Sequence, residues 1–298
     1  MNTVFTGSGV AIITPFCDKG IDFDKLGELI DYQIENKTDA IVICGTTGEA
    51  SAMPDAEHKA AIEYAVSRTA GRVKVIAGTG SNDTLHCVEL CKFAVSAGVD
   101  ALLVVNPYYN KTSQHGLVEH YKYIAARVDN IPIILYNVPA RTGLNVTPAT
   151  MYELSKIDNI VGMKEASGNI AQVADMVRLC GDKIDFYSGN DEITVPVMSL
   201  GGKGVISVAA NIAPRQVHDM CQLYLDGDVK GAAKIQLDLV ELINALFIEV
   251  SPVPVKTAMN MLGMNVGPVR MPLFPMLDKN KEILKNALIN AGFTLKEE

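Results

Sequence analysis

The sequence predicts a closed (β/α)8 barrel, a TIM barrel, with a C-terminal helical extension, and three observations lead to that fold class. Short runs rich in Val, Ile and Leu alternate with longer amphipathic stretches along the chain. Eight such runs start roughly 20–33 residues apart, a spacing that fits one strand and one helix per unit. Because the runs are apolar on both faces, they are typical of a parallel sheet with both sides covered.

Each predicted strand is one of these short runs. The eight strands are expected at residues 9–14, 40–44, 73–78, 101–105, 132–136, 160–164, 184–188 and 204–208. An open dinucleotide-binding sheet usually has six strands and a glycine-rich fingerprint after the first. Here that turn reads TPFCDKG, without the fingerprint, so the count of eight favours a closed barrel.

Helices are predicted between the strands. The first has an apolar stripe from Phe23 to Ile34 at helical spacing. Pro54 suits the start of the next helix, where Asp55 and Glu57 complement the positive end of the helix dipole. The predicted N-caps are Asp83, Ser113, Thr147 and Asn169.

Beyond the eighth strand the pattern is helical only. Residues 229–250 predict one long amphipathic helix that Pro252 and Pro254 stop, and further helices are expected near 255–263 and 279–291. We therefore predict two parts.

The first predicted part is a barrel at 1–226 that carries the active site, and the second is a helical domain at 227–298 packed on it. With 298 residues, of which 48% are hydrophobic, the chain is long enough for a large core.

Composition excludes several classes of protein. The net charge is −8 and the basic residues are scattered, so nucleic acid is not an expected partner. No apolar run approaches the ~20 residues of a membrane span, and the N-terminus has no signal-peptide pattern. The six cysteines form no C-x-x-C pair, which favours reduced thiols and a cytoplasmic location. The histidines lack metal-ligand spacing, so no metal is expected.

Polar side chains follow several strands, where the active site of such a barrel lies. Taken singly, each has an ordinary structural explanation. A lysine at a strand end is usually solvated, a buried tyrosine often bonds to the backbone, and a loop arginine usually forms a surface ion pair. These segments and residues are GTTGE (45–49), NPYYN (106–110), YNVPARTG (136–143), Lys164, SGND (188–191), Ile206 and Ser207.

Lys164 is the least expected of these residues, because it ends the apolar run IVGM. Burial disfavours a charged ammonium, so a lysine in this position is favoured in its neutral form. We expect Val161 and Met163 to shield this amine from water.

Taken together, these motifs resemble the dihydrodipicolinate synthase and N-acetylneuraminate lyase superfamily of Schiff-base aldolases. The resemblance spans the chain, from GSGVAIITPF through GTTGEA, AGTGSN, NPYYNK, YNVPARTG, KEASGN, SGND and GVISV to PVPVKTAMN. Tyr109 and Arg141 match the synthases, whereas the sialic-acid lyases generally lack this arginine.

The resemblance implies a lyase that condenses pyruvate with L-aspartate-4-semialdehyde, through an imine on Lys164 and without another cofactor. The implied catalytic residues are Lys164, Tyr136, Thr46 and Tyr109. The implied substrate contacts are Thr47, Arg141, Gly189 and Ile206. Another pyruvate aldolase, such as an N-acetylneuraminate or keto-deoxy-sugar lyase, is the alternative within the fold, and a non-catalytic barrel is the alternative outside it.

The resemblance also implies a homotetramer built from two tight dimers, in which the adjacent subunit supplies the relay tyrosine. An effector pocket for L-lysine at the dimer interface would include Ser51, His58, Asn82 and Tyr108. Asp55 and His86 stand where lysine-sensitive members commonly have a histidine and a glutamate. Losing an acid that contacts a cation weakens binding, so weak or absent inhibition by L-lysine is predicted.

Overall fold

A computed structural model describes residues 3–296. Eight parallel strands close into a barrel in which each strand pairs with the next and the last pairs with the first, which confirms the predicted fold class. The strands are β1 (Gly7–Ala11), β2 (Ala40–Ile43), β3 (Lys74–Gly78), β4 (Ala101–Val105), β5 (Ile133–Asn137), β6 (Ile160–Glu165), β7 (Asp185–Ser188) and β8 (Gly204–Ser207). A small hairpin, Phe16–Cys17 with Gly20–Ile21, follows β1 and was not predicted.

Helices connect the strands and extend beyond the barrel. They are α1 (Phe23–Glu35), α2 (Asp55–Thr69), α3 (Thr84–Ala97), α4 (Gln114–Ala125), α5 (Pro139–Thr142), α6 (Pro148–Leu154), α7 (Ile170–Cys180), α8 (Thr194–Ser199), α9 (Pro214–Leu225), α10 (Val229–Asp238), α11 (Val240–Leu246), α12 (Val253–Met261) and α13 (Asp278–Asn290). Within residues 3–296, none of them has the length and apolar character that crossing a membrane requires.

All four predicted N-caps are confirmed. The side chain of Asp83 accepts a hydrogen bond from the N–H of Leu85 at 2.8 Å, and Ser113, Thr147 and Asn169 accept equivalent bonds at 3.1–3.3 Å. Each of these bonds satisfies an N–H of the first helical turn that has no partner within its helix.

Alternation along the strands divides the core into two layers. Ile134, Tyr136, Tyr187 and Ile206 belong to the cluster inside the barrel. The other strand face packs against the helices in a second, larger cluster. Phe5 stacks on Tyr187 with ring centroids 4.4 Å apart, so the chain entering β1 fills the barrel from its amino-terminal side. The opposite, carboxyl-terminal side is left for the polar residues.

The prediction of a single helix over 229–250 is wrong. The helix is interrupted at Leu239, which nevertheless accepts a hydrogen bond from the Ile243 N–H at 2.8 Å, and it ends at Leu246. Pro252 and Pro254 do not stop it. They lie at the start of α12, where a proline lacks only a hydrogen bond that the first turn would not form.

The C-terminal helices share the outer hydrophobic cluster with the barrel. Val255, Met259 and Leu284 belong to the same cluster of buried residues as Ile12 and Ile13 near the end of β1. The C-terminal segment therefore packs directly on the barrel. The boundary near residue 226 stays a prediction, although α9 ends at Leu225.

Candidate active site

Lys164 and Tyr136 are brought together by the pairing of their strands. The register of β5 and β6 places Tyr136 directly opposite Lys164, one residue before each strand ends. The Lys164 Nζ lies 4.4 Å from the centre of the Tyr136 ring, and the lysine is 5% exposed. A primary amine and a phenol therefore lie side by side at the carboxyl end of the barrel.

The predicted shielding of this amine by Met163 is wrong, because the strand alternates. Met163 belongs to the outer cluster between the sheet and the helices. Lys164 instead lies beside Gly189, where an added Cβ would come within 3.1 Å of the Lys164 Cε and 2.6 Å of the Ala166 Cβ. The absence of a side chain at Gly189 leaves the space that the lysine occupies.

The loop after β2, residues 45–49 and here called the GTTGE loop, has a fixed backbone. Cys44, which precedes the loop, and Glu49, its last residue, both have φ near +55°, a region that non-glycine residues rarely adopt. The Thr14 hydroxyl donates to the Gly48 carbonyl at 2.7 Å. Within this loop Thr47 is buried and Thr46 is exposed. The two predicted hydroxyls therefore face different surroundings.

Arg141 and Ile206 lie on other segments at the same end of the barrel. Arg141 is on the short helix α5 that follows β5, and its Nη2 donates to the Ser251 carbonyl at 3.0 Å. The remaining guanidinium donors are available to a carboxylate because the residue is exposed. Ile206 is buried on β8 opposite Gly9.

Tyr109 is not brought into the site by its own chain. It is 90% exposed and has a φ of +68°, on the loop after β4. A large aromatic side chain in this position contributes almost nothing to the packing of a single chain.

Glu165 is a buried polar residue of the site that the sequence analysis did not assign. Its carboxylate accepts hydrogen bonds from the Asn137 Nδ2 and the Ser167 N–H, both at 2.7 Å, and burial raises its pKa. Asn137 also donates to Asn145, so one network links the ends of β5 and β6. Because side chains alternate along a strand, an inward-facing Lys164 predicts that Glu165 faces outward towards the helices. This alternation is the sequence signal that could have identified Glu165.

A second buried lysine, Lys256 on α12, was also missed. Its Nζ donates to the Glu49 Oε1 at 2.8 Å, the Thr14 carbonyl at 2.9 Å and the Pro268 carbonyl at 2.6 Å. Burial lowers the pKa of Lys256, and the Glu49 carboxylate opposes that shift. Three acceptors at these distances fit the charged ammonium.

The four residues of the predicted effector pocket lie in varied surroundings. His58 is buried with its Nε2 2.8 Å from the Gly78 carbonyl, and burial lowers its pKa. Ser51 is exposed, and Asn82 and Tyr108 are half-buried.

Nearby, His86 and Asp55 contact each other at 3.1 Å. A weak effect of L-lysine stays a prediction.

A family model describes almost the whole chain. The dihydrodipicolinate synthetase family model matches residues 4–291. The chain belongs to this family. All the polar segments at the mouth of the barrel lie inside the matched region.

Relatives of this family match over their full length. The 4-hydroxy-tetrahydrodipicolinate synthase of a Thermoanaerobacter species is 59% identical over 99% of both chains. The structure of dihydrodipicolinate synthase from Aquifex aeolicus superimposes with a TM-score of 0.95 at 46% identity, covering 98% of this chain and 100% of that one. A chloride-inhibited dihydrodipicolinate synthase from Acinetobacter baumannii, solved in complex with pyruvate, has a TM-score of 0.95 at 42% identity, with coverage of 98% and 100%.

Metal-binding clusters are missing from the described residues. Residues 3–296 contain no group of three or more His, Cys, Asp or Glu side chains arranged to hold a metal ion.

Proposed function

We propose that this chain condenses pyruvate with L-aspartate-4-semialdehyde to give 4-hydroxy-tetrahydrodipicolinate, the first committed step of the diaminopimelate and lysine pathway. The observation that carries the proposal is the buried Lys164 amine at the carboxyl end of β6, facing the Tyr136 ring at 4.4 Å. The synthase names of the full-length relatives and the pyruvate bound to the Acinetobacter baumannii enzyme support the substrates.

The Lys164 amine attacks the ketone carbon of pyruvate, and loss of water gives an imine that acts as an electron sink. Removal of a proton from the pyruvate methyl group converts the imine to an enamine. The enamine carbon then attacks the aldehyde carbon of the semialdehyde, and the aldehyde oxygen takes up a proton. The amino group of the second substrate finally displaces Lys164 from the imine carbon, which closes the ring and frees the lysine.

We assign the proton transfers of these steps to Tyr136. Tyr136 carries a phenol hydroxyl, and its ring faces the Lys164 amine. A phenol passes a proton more readily when other hydroxyl groups lie next to it. We assign Thr46 and Tyr109 to that relay. Because Tyr109 is 90% exposed in its own chain, an adjacent copy is proposed to receive it, within a tetramer of two tight dimers.

Pyruvate and the semialdehyde both carry carboxylates that need donors. Thr47 lies in the GTTGE loop and supplies a hydroxyl and a backbone N–H for pyruvate, and we assign a second contact to the backbone at Ile206 on β8, which only β1 separates from β2. Arg141 offers a planar pair of donors for the carboxylate of the semialdehyde, with one Nη2 already oriented by Ser251. Gly189 leaves room for the Lys164 side chain, and we assign it a place beside the bound substrate.

The test is reductive trapping of the imine. Incubation with pyruvate and borohydride, followed by peptide mass mapping, should place one adduct on the peptide that contains Lys164. Lys256 is an internal control, since it is a second buried lysine that should stay unmodified. Absence of an adduct, or an adduct at another lysine, refutes the assignment. A panel with N-acetylneuraminate and keto-deoxy sugars then separates the synthase from the other pyruvate aldolases.

A further inference from the structure

We infer that the buried Lys256–Glu49 ion pair is a positioning device for the threonines of the GTTGE loop, so that the C-terminal helices set the affinity for the pyruvate carboxylate. The inference rests on the proposed function, because it concerns the binding of the same substrate.

The carboxylate of Glu49 is held entirely from the C-terminal segment. Glu49 is 2% exposed, its Oε1 accepts from the Lys256 Nζ at 2.8 Å and its Oε2 accepts from the Arg270 N–H at 2.8 Å. The two donors lie 207 and 221 residues along the chain from Glu49. The last residue of the loop is therefore fixed by groups that are not part of the barrel strands.

Lys256 contacts the loop from a second direction as well. Its Nζ donates to the Thr14 carbonyl at 2.9 Å, and the Thr14 hydroxyl donates to the Gly48 carbonyl at 2.7 Å. One ammonium therefore supports both Glu49 and the segment beneath Gly48. The loop cannot shift as a unit without breaking at least one of these bonds.

The backbone of the loop explains why such support matters. Glu49 has a φ of +55°, a left-handed conformation that costs a non-glycine residue free energy and persists only where the surroundings enforce it. The Glu49 N–H donates to the Thr46 carbonyl at 3.0 Å, which closes a tight turn around Thr46 and Thr47. This hydrogen bond therefore links the strained backbone of Glu49 to the turn that contains Thr46 and Thr47.

A simpler structural role would make the pair only an anchor of the C-terminal segment on the barrel. The chain contains a matched example of such an anchor. Arg270 binds the Glu57 carboxylate with its Nη2 at 2.9 Å and also through its Nη1, which joins the C-terminal segment to α2. Glu57 receives its bonds from the Arg270 guanidinium, whereas Glu49 receives its bond from the Arg270 backbone N–H, so Glu57→Gln is a control that removes an anchor and leaves both Glu49 bonds in place.

The experiment compares Glu49→Gln and Glu57→Gln in the full-length protein, at a temperature at which circular dichroism shows both to be folded. Glu49→Gln keeps the size of the side chain and removes its charge. We expect the KM for pyruvate to rise by tenfold or more, kcat to change by less than threefold, and the KM for the semialdehyde to stay within twofold. Glu57→Gln should leave all three constants within twofold.

Glu49→Asp is the second variant, in case Glu49→Gln does not fold. It retains both charges and withdraws the carboxylate by one methylene group, so a positioning role again predicts a higher KM for pyruvate. Lower thermal stability with an unchanged KM for pyruvate in the folded Glu49 variants overturns the inference. That result is distinguishable from failure of the proposed function, in which the wild-type protein itself forms no imine with pyruvate.

Discussion

Lys164 and Lys256 are both buried at the carboxyl side of the barrel, but their surroundings are opposite in kind. Lys256 has three oxygen acceptors within 2.9 Å, one of them the Glu49 carboxylate. Lys164 faces an aromatic ring and a glycine, and none of the ion pairs formed within residues 3–296 includes it. Both amines also lie over an aromatic ring, at 4.4 Å for Lys164 and 4.5 Å for Lys256.

From this difference we infer that the hydrogen-bond acceptors around a buried amine, rather than its burial, determine whether it has a structural or a chemical role. An ammonium among carbonyls and a carboxylate stays in place and holds neighbouring segments together. An amine with no carboxylate partner is free to act as a nucleophile once it is neutral. The two lysines should therefore respond in opposite ways to the same substitution.

The largest effect is expected for the activity of Lys164→Met. Methionine keeps the apolar stem and removes the nucleophile, so kcat should fall by at least about 10³-fold, which corresponds to roughly 4 kcal/mol in the barrier. The free energy of unfolding should stay within about 1 kcal/mol of the wild type, because no carboxylate is left unpaired. Steady-state kinetics and urea unfolding measure the two quantities. Retained turnover would contradict the assignment of the nucleophile.

Lys256→Met should give the reverse result. Removing the ammonium leaves the Glu49 carboxylate buried without its charged partner, which typically costs about 3–5 kcal/mol of stability. Urea unfolding followed by circular dichroism measures the loss. The variant should still form the imine with pyruvate at high substrate concentration, since the Lys164 amine is intact. A stability equal to that of the wild type would show that the pair contributes nothing to the fold.

The two lysines also show how much of the site can be predicted from the sequence. Lys164 was predicted because a charged residue ends an apolar strand, and the register of the strands then placed it opposite Tyr136. Glu49 and Lys256 each lie in a recognised motif, but they are 207 residues apart, and nothing local predicts that they meet. Tyr109 could be predicted as a residue but not placed, because it is 90% exposed in this chain and packing does not fix its side chain.

Gly189→Ala tests the comparison of the two lysines from the side of Lys164, the amine without a carboxylate partner. The added methyl group would lie 2.6 Å from the Ala166 Cβ and 3.1 Å from the Lys164 Cε, so the segment at Ala166 must shift and the lysine must move by a few tenths of an ångström. Displacing a reacting atom by about 1 Å can cost on the order of 100-fold in rate. The displacement required here is smaller, so we expect the rate of imine formation with pyruvate, measured in a single turnover, to fall by between about tenfold and 100-fold. Unchanged kinetics would show that the lysine tolerates the shift.

His120, on helix α4, offers a smaller test of burial without a charged partner. Its Nε2 has no hydrogen-bond partner within residues 3–296, and burial lowers its pKa to about 4 from an ordinary value of 6.5. The unfolded chain then binds a proton that the folded chain does not, so stability is present above pH 6.5 and is lost as the pH falls towards 4. At pH 5 this loss should be about 2 kcal/mol.

His120→Gln removes the titrating group, so its free energy of unfolding should fall less than that of the wild type between pH 7.5 and pH 5, by about 2 kcal/mol. Urea unfolding at the two pH values measures the difference. His115→Gln is the matched control for the substitution itself, because it changes an exposed histidine of the same helix. If the free energy of unfolding depended on pH in the same way for the wild type and His120→Gln, burial of a base would cost little stability in this fold. The contrast between Lys164 and Lys256 would then rest on the Lys256–Glu49 ion pair alone.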